Sequence, residues 1–119
     1  MTESKKKLVL VAFNGETMCF AHVLLNALDM HTNGMEVKVV IEGSATKQIA
    51  ELADASKPFA PLYAQVKQTG LIDAVCQACA AKMGALEAAK KQGLPLRGDM
   101  SGHPSLRTYI NDGYDIVTF

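Results

Sequence analysis

The stretch LVLVAF, residues 8–13, is a continuous apolar run of the kind found in strands buried on both faces. Such strands belong to parallel sheets that are covered by helices, whereas half-exposed strands alternate apolar and polar residues. A second strand is predicted at MEVKVVIEG (35–43), which follows a segment long enough for a helix. Two strands joined by a helix form a βαβ unit. These two runs therefore predict an α/β fold built on a mostly parallel sheet.

The rest of the chain continues the alternation of strand and helix. Apolar spacing at 59–66, together with segment length and capping, glycine and proline residues elsewhere, predicts helices over 18–32, 44–55, 59–70, 78–93 and 104–111. Further strands are predicted over 71–76 and 114–119. Thr17 and Ser44 are the predicted N-caps of the first two helices, Gly84 is a predicted interruption, and 96–105 is predicted to be a loop. The prediction is a single domain (1–119), a three-layer α/β sandwich of four to five strands with helices on both faces.

Composition narrows the class of partner. The 119 residues are 49% apolar and 20% charged, with a formal net charge of zero, which disfavours nucleic acid as the main partner. No apolar stretch approaches the roughly 20 residues needed to span a bilayer, and residues 8–13 are too short for a secretory signal. Lys5–Lys7 are interpreted as a solvated lead-in. We expect a cytoplasmic protein with no membrane or nucleic-acid contact, whose three cysteines stay reduced.

In open parallel sheets, sites form beyond the carboxyl ends of the strands. That rule selects the loops 14–17, 42–46, 76–79 and 96–103. They contain the candidate catalytic residues, Cys76 and Cys79. They also contain the candidate anion- or ligand-binding residues, which are Asn14, Gly15, Gly43, Ser44 and His103. No dinucleotide or phosphate-loop pattern is present, and no cofactor is predicted.

Cys76 lies where a predicted strand ends and a predicted helix begins. Backbone N–H groups at that place favour a negative charge, so we expect the pKa of Cys76 to lie below its ordinary value. A buried packing role for the same residue stays open. Cys79 completes a CxxC that can close a redox disulfide. A zinc site formed by Cys19, His22, Cys76 and Cys79 is the less favoured alternative to no metal at all.

Two further features depend on the tertiary structure. His103 either reaches the cysteine loop across the sheet edge or serves the following helix as a capping, solvent-facing residue.

The first helix has a narrow polar stripe, and the rest of its surface is apolar. This apolar surface is larger than one sheet face would cover, which predicts that the helix is buried against a partner subunit. The alternative is that another helix of the same chain covers it. The polar stripe comprises Cys19, His22, Asn26, Asp29 and Asn33.

Several segments together resemble the DsrE/DsrF-like proteins, a family that includes sulfur-relay subunits. The resembling segments, in order, are the valine-rich first strand, HTNG (31–34), MEVKVVIEG (35–43), AVCQACAAKMG (74–84) and LRTYINDGYDIVTF (106–119). The likeness covers nearly the whole chain. It implies a flavodoxin-like α/β sandwich that assembles as a homotrimer or homohexamer.

The resemblance also assigns roles to the cysteines. In relay members a strand-end cysteine accepts persulfide sulfur and passes it to a partner protein, and by position that cysteine is Cys76. Cys79 departs from the relay pattern, which implies a resolving or modulating thiol. The expected function is thus a sulfur carrier with sulfurtransferase-like chemistry. An oligomeric module that binds a small ligand or a protein, and a CxxC redox protein, remain the alternatives.

Overall fold

The structure, a computed structural model, describes residues 5–119. They form five strands and six α-helices. In chain order these are β1 (Lys7–Ala12), α1 (Thr17–Thr32), β2 (Glu36–Ile41), α2 (Lys47–Glu51), α3 (Ala60–Gln68), β3 (Ile72–Cys76), α4 (Gln77–Lys82), α5 (Leu86–Lys91), β4 (Leu96–Arg97), α6 (Leu106–Asn111) and β5 (Asp115–Thr118). A single 3₁₀ turn, Gly43–Thr46, precedes α2. None of the described helices has the length and apolar content needed to cross a membrane.

All five strands are parallel and lie in the order β4-β3-β2-β1-β5. The first four strands add to the sheet in one direction, so their right-handed crossovers place α1–α5 on the same face. The chain then returns across the sheet to β5 and places α6 on the opposite face. This confirms the predicted α/β class, the strand number and the helices on both faces. The strand order differs from the 2-1-3-4-5 order of flavodoxin, although the layering is the same.

The two faces have cores of different size. The larger core packs β1, β2 and β3 against α1–α5, with Phe20 and Tyr63 as its largest side chains. The smaller core lies under α6, where Tyr109 and Tyr114 cover Val9 and Val40. Beyond the tyrosines this face becomes polar: the tyrosine hydroxyls donate to Asp73 and Glu36 respectively, each over 2.6 Å.

Five local predictions are wrong. Thr17 is the first residue of α1 and Glu16 is the N-cap. Ser44 caps no helix, because its segment begins as a 3₁₀ turn, and the helix that follows ends at Glu51 rather than near residue 55.

The other two corrections concern the segment 96–105. Leu96–Arg97 is not loop but a short edge strand, paired with Val75 and Cys76. Pro104 precedes α6 instead of lying in its first turn, since Ser105 is the N-cap.

The apolar surface of α1 is mostly covered within the chain. Its buried residues are Phe20, Ala21, Val23, Leu24 and Ala27. Helix α3 packs over it, with the Phe20 and Tyr63 ring centroids 6.2 Å apart. The large apolar side chains of α1 that stay exposed are Met18 and Leu25, at 57% and 52%. The surplus predicted from the sequence is therefore reduced to these two side chains.

Candidate functional site

Cys76 lies at the carboxyl edge of the sheet, as the last residue of β3 and the N-cap of α4. Its Sγ accepts a hydrogen bond from the Cys79 N–H over 3.4 Å. A side chain that caps a helix is held over the first-turn N–H groups, which is why the sulfur atom points to this edge. The side chain is fully buried. The sequence placed Cys76 correctly at a strand end and helix start.

Three reactive side chains meet at this point. Cys76 Sγ lies 2.9 Å from Cys79 Sγ and 2.9 Å from His103 Nδ1, and Cys79 Sγ lies 3.6 Å from the same nitrogen. Both thiols are free. Cys79 and His103 are half-buried, so they form the solvent side of a cluster whose floor is Cys76. We call these three residues the thiol–imidazole cluster.

His103 is held in place by a tight reverse turn. Met100 and His103 exchange both backbone hydrogen bonds, over 2.8 and 2.9 Å. The two residues between them, Ser101 and Gly102, both have positive φ, 50° and 92°, as the two central residues of a type I′ turn require. The Gly102 carbonyl accepts from the Ala78 N–H over 2.8 Å, which ties the turn to the start of α4. Of the two predictions for His103, the one that places it in contact with the cysteine loop is confirmed.

The protonation of Cys76 differs from the prediction made from its position. Burial raises the pKa of its thiol to about 12, and the hydrogen bond and charge of Cys79 and the charge of Glu42 act in the same direction. The Cys79 N–H lowers this pKa, as a helix start should, but its effect is smaller than that of burial. The predicted lowered pKa is therefore wrong. At neutral pH the resting Cys76 is a thiol that needs a base, and His103 Nδ1 is in contact with it.

Glu42 adds a carboxyl group near the cluster. It follows β2 directly and is 9% exposed. Burial raises its pKa, and the charge of His103 opposes that rise, since a protonated imidazole favours the carboxylate. The Thr46 hydroxyl, in the same loop, donates to the Cys79 carbonyl over 3.4 Å. The cluster is thus enclosed by the loop after β2 on one side and the Met100–His103 turn on the other.

The predicted zinc ligands do not converge. Cys19 and His22 lie on α1, where with Met18 and Phe119 they line a shallow apolar depression of about 200 Å³. Within residues 5–119, the group of three or more potential ligand side chains that gathers within 4.8 Å consists of Cys76, Cys79 and His103. The four-residue zinc site is therefore wrong. The physical reason is that α1 starts after β1, two strands away from β3 in the sheet.

The other predicted ligand-binding residues make contacts within and between the loops after β1 and β2. The Gly15 N–H donates to Ser44 Oγ over 2.8 Å, and Asn14 Oδ1 accepts from the Glu16 N–H. Gly43 has a φ of +55° and packs against the Phe13 ring. The loops after β1 and β2 thus brace each other, and an anion site at these residues stays a prediction.

Sequence reasoning missed Gly102 as part of the site. A Cβ at this position would lie 2.9 Å from the Ala78 Cβ, and its φ of +92° favours glycine. The available signal was the SGH triplet (101–103), since a glycine after serine marks a turn. Only the structure shows that the turn brings residue 103 back to residue 76.

Comparison with known proteins identifies the family of the chain. The sequence profile of the DsrE/DsrF-like family matches residues 6–119. An uncharacterized protein of Methanocaldococcus jannaschii is 34% identical over 96 residues, which is 81% of this chain and 76% of that protein. An uncharacterized protein of Archaeoglobus fulgidus is 37% identical over 51 residues, 43% of this chain and 84% of that protein.

A solved structure has the same fold. It is that of a conserved protein of unknown function from Bacteroides thetaiotaomicron, which superimposes with a TM-score of 0.70 over 95% of each chain at 16% identity. At that identity the likeness concerns the fold alone. The profile match across residues 6–119 shows that the chain belongs to the DsrE/DsrF-like family.

Proposed function

We propose that the protein is a sulfur carrier that accepts sulfane sulfur on Cys76 and passes it to a partner thiol. The observation that carries the proposal is the thiol–imidazole cluster, in which His103 Nδ1 lies 2.9 Å from Cys76 Sγ. Membership of a family that includes sulfur-relay subunits supports this chemistry. A cytoplasmic location suits it, because reducing conditions keep both thiols free.

The transfer step balances without an external oxidant. His103 Nδ1 takes the proton of Cys76, and the thiolate attacks the terminal sulfur of a donor persulfide, R–S–SH. The donor S–S bond breaks, a new S–S bond forms on Cys76, and R–S⁻ leaves with the proton that His103 held. The products are R–SH and a Cys76 persulfide. The Cys79 N–H, 3.4 Å from Cys76 Sγ, is placed to stabilise the negative charge of the attacking thiolate.

A persulfide-loading experiment tests the role of Cys76. The reduced protein is treated with a small-molecule persulfide, and the added sulfur is located by mass spectrometry of the intact protein and its peptides. We expect loading in the wild type, in Cys79→Ser and in the matched control Cys19→Ser, and none in Cys76→Ser. Unchanged loading of Cys76→Ser would refute the assignment.

The role of His103 has its own measurement. Replacing the base, His103→Ala, should lower the loading rate at neutral pH by about 10²-fold or more. Raising the pH should restore part of the rate, because hydroxide then removes the proton that His103 no longer accepts. A matched control is His22→Ala, a histidine of α1 outside the cluster. An unchanged rate in His103→Ala would contradict the base assignment.

A dithiol redox function is the second candidate. It is favoured by the 2.9 Å between Cys76 Sγ and Cys79 Sγ, a separation from which a disulfide of about 2.05 Å forms with little movement. In a carrier, the same contact lets Cys79 attack a Cys76 persulfide, giving the disulfide and H₂S. Cys79→Ser should therefore lengthen the lifetime of the persulfide. A disulfide that fails to form under mild oxidation would remove this candidate.

A further inference from the structure

We propose that the thiol–imidazole cluster is also a zinc site, in which Cys76, Cys79 and His103 bind one Zn²⁺ and solvent holds the fourth position. The three ligand atoms all lie within 4.8 Å of one another. This ligand set differs from the one expected from the sequence, because His103 replaces the two residues of α1. It goes beyond the proposed sulfur chemistry, since it needs no sulfur donor.

The distances fit a tetrahedral metal with a small adjustment. Zinc bonds of about 2.3 Å to sulfur and about 2.0 Å to nitrogen place two sulfur ligands about 3.8 Å apart and sulfur and nitrogen about 3.5 Å apart. Cys79 Sγ and His103 Nδ1 already lie 3.6 Å apart. The two pairs that include Cys76 Sγ, both at 2.9 Å, must open by less than about 1 Å. A rotation of the half-buried Cys79 side chain toward solvent opens the sulfur pair.

The chemistry of the ligand atoms selects the class of metal. Two sulfurs and one imidazole nitrogen suit Zn²⁺, whereas Mg²⁺ and Ca²⁺ take oxygen ligands. Binding follows Zn²⁺ + 2 Cys–SH + His → Zn(Cys)₂(His) + 2 H⁺, so the complex has no net charge. A neutral complex suits a site whose floor is buried, where a lone thiolate is disfavoured.

The solvent-facing side of the cluster determines where the fourth coordination position of the metal would lie. Within the cluster, Cys76 is buried, while Cys79 and His103 are half-buried and lie nearer to solvent. A metal held by all three therefore faces solvent on one side. Three protein ligands with one open position is the arrangement of zinc sites that keep a water or an exchangeable ligand. Zinc and persulfide would compete for the same sulfur of Cys76.

Metal titration of the full chain tests the proposal. The reduced protein is titrated anaerobically with Co²⁺, whose thiolate charge-transfer absorption reports sulfur ligands, and then with Zn²⁺ against a chromophoric chelator. We expect one metal per chain. Cys76→Ser, Cys79→Ser and His103→Ala should each weaken Zn²⁺ binding by at least about 100-fold, because each removes a direct ligand. Cys19→Ser and His22→Ala are the matched controls and should bind as the wild type does.

Two results would overturn the zinc site. One is absence of stoichiometric binding in the wild type, and the other is unchanged affinity in His103→Ala, which would leave a dithiol pair without the imidazole. Circular dichroism confirms that each variant is folded, and His103→Gln provides a second variant that keeps side-chain volume. The metal titration contains no sulfur donor, and the persulfide-loading experiment is run with a chelator. A failure of the zinc proposal therefore does not affect the test of sulfur transfer, and a failure of sulfur transfer does not affect the test of zinc binding.

Discussion

At the residue scale, burial and a neighbouring base act on the same sulfur atom. Cys76 is 0% exposed, and burial raises the pKa of its thiol to about 12. His103 Nδ1, at 2.9 Å, is the group that can take its proton. The resting thiol is therefore protonated and shielded, and in the proposed function it becomes a nucleophile when its proton moves to the imidazole.

Thiol alkylation tests the burial and protonation of Cys76 against those of the other cysteines. In the folded protein at neutral pH, iodoacetamide should modify Cys79 and Cys19 faster than Cys76, because alkylation needs an exposed thiolate. Peptide mass spectrometry at timed intervals measures the three rates. In denaturant the three cysteines should react at similar rates. Modification of native Cys76 as fast as Cys79 would contradict the burial and protonation described for it.

At the scale of elements, the Met100–His103 turn and the start of α4 form one unit around the cysteines. The Gly102 carbonyl accepts from the Ala78 N–H over 2.8 Å and lies 3.7 Å from Cys76 Sγ. Strand β4 leads into this turn and pairs directly with the end of β3. Displacement of the turn therefore moves His103 away from Cys76.

Gly102→Ala should disrupt this unit. Both Gly102 and Gly113 have positive φ, so alanine at either costs about 1–2 kcal/mol of backbone strain. Only at Gly102 does the new Cβ also meet another atom, the Ala78 Cβ at 2.9 Å, whereas nothing lies within 4 Å at Gly113. Urea unfolding should show the larger loss of free energy for Gly102→Ala. Equal losses in the two variants would show that the contact with Ala78 is relieved without cost.

The sequence predicted the elements whose cause is local and missed those whose cause is tertiary. Residues 9–12 and 39–41 are apolar because both faces of the sheet are covered, so these two strands could be predicted from the sequence. Strand β4 has two residues, too few for a pattern, and it exists because Val75 and Cys76 offer an unpaired edge. The raised pKa of Cys76 and its contact with His103, 27 positions away, follow from packing.

At the scale of the whole molecule, the connection from β4 back to β5 places α6 on the face of the sheet opposite α1–α5, so that α6 is the helix that covers this face. Tyr109 and Tyr114 cover this face edge to face, with ring centroids 6.2 Å apart. The Lys38 ammonium lies 5.8 Å from the first ring and 5.0 Å from the second. The hydroxyls bond to carboxylates that also face Lys7 and Lys38. The cover of the smaller core is thus a polar network as well as an apolar layer.

That network makes stability fall at alkaline pH. Burial and the carboxylate of Glu36 raise the pKa of Tyr114 to about 12, while an unfolded tyrosine titrates near about 10. The contribution of Tyr114 is complete below pH about 10 and is lost as the pH rises toward about 12, because only the unfolded state then releases the proton. Tyr63 and Tyr109 shift in the same direction.

Unfolding free energies measured between neutral and alkaline pH check this dependence. Tyr114→Phe should reduce the alkaline slope relative to the wild type, since it removes one of the groups that titrate. Phe119→Leu, which changes a side chain that does not titrate, is the control and should keep the wild-type slope. An identical slope in Tyr114→Phe would exclude Tyr114 from the alkaline transition.

Self-association is the remaining prediction at this scale. Leu25 and Met18 on α1 are more than half exposed, and Phe13 beyond β1 is 57% exposed. We expect these side chains to be covered in a homo-oligomer, so Leu25→Glu should lower the molar mass measured by light scattering. Asn26→Glu, one residue along the helix, is the charge-matched control. A wild-type protein that is monomeric at all concentrations would contradict the prediction.

The burial of Cys76 also bears on how long the protein survives in an oxidising cell. Peroxide converts exposed, deprotonated cysteines through sulfenic to sulfinic and sulfonic acids, and the last two steps destroy the thiol. Cys76 is neither exposed nor deprotonated at rest, and a sulfenic acid formed there would meet Cys79 Sγ 2.9 Å away and condense to a reducible disulfide. The burial that keeps the Cys76 thiol protonated and shielded at rest thus also protects it from irreversible oxidation.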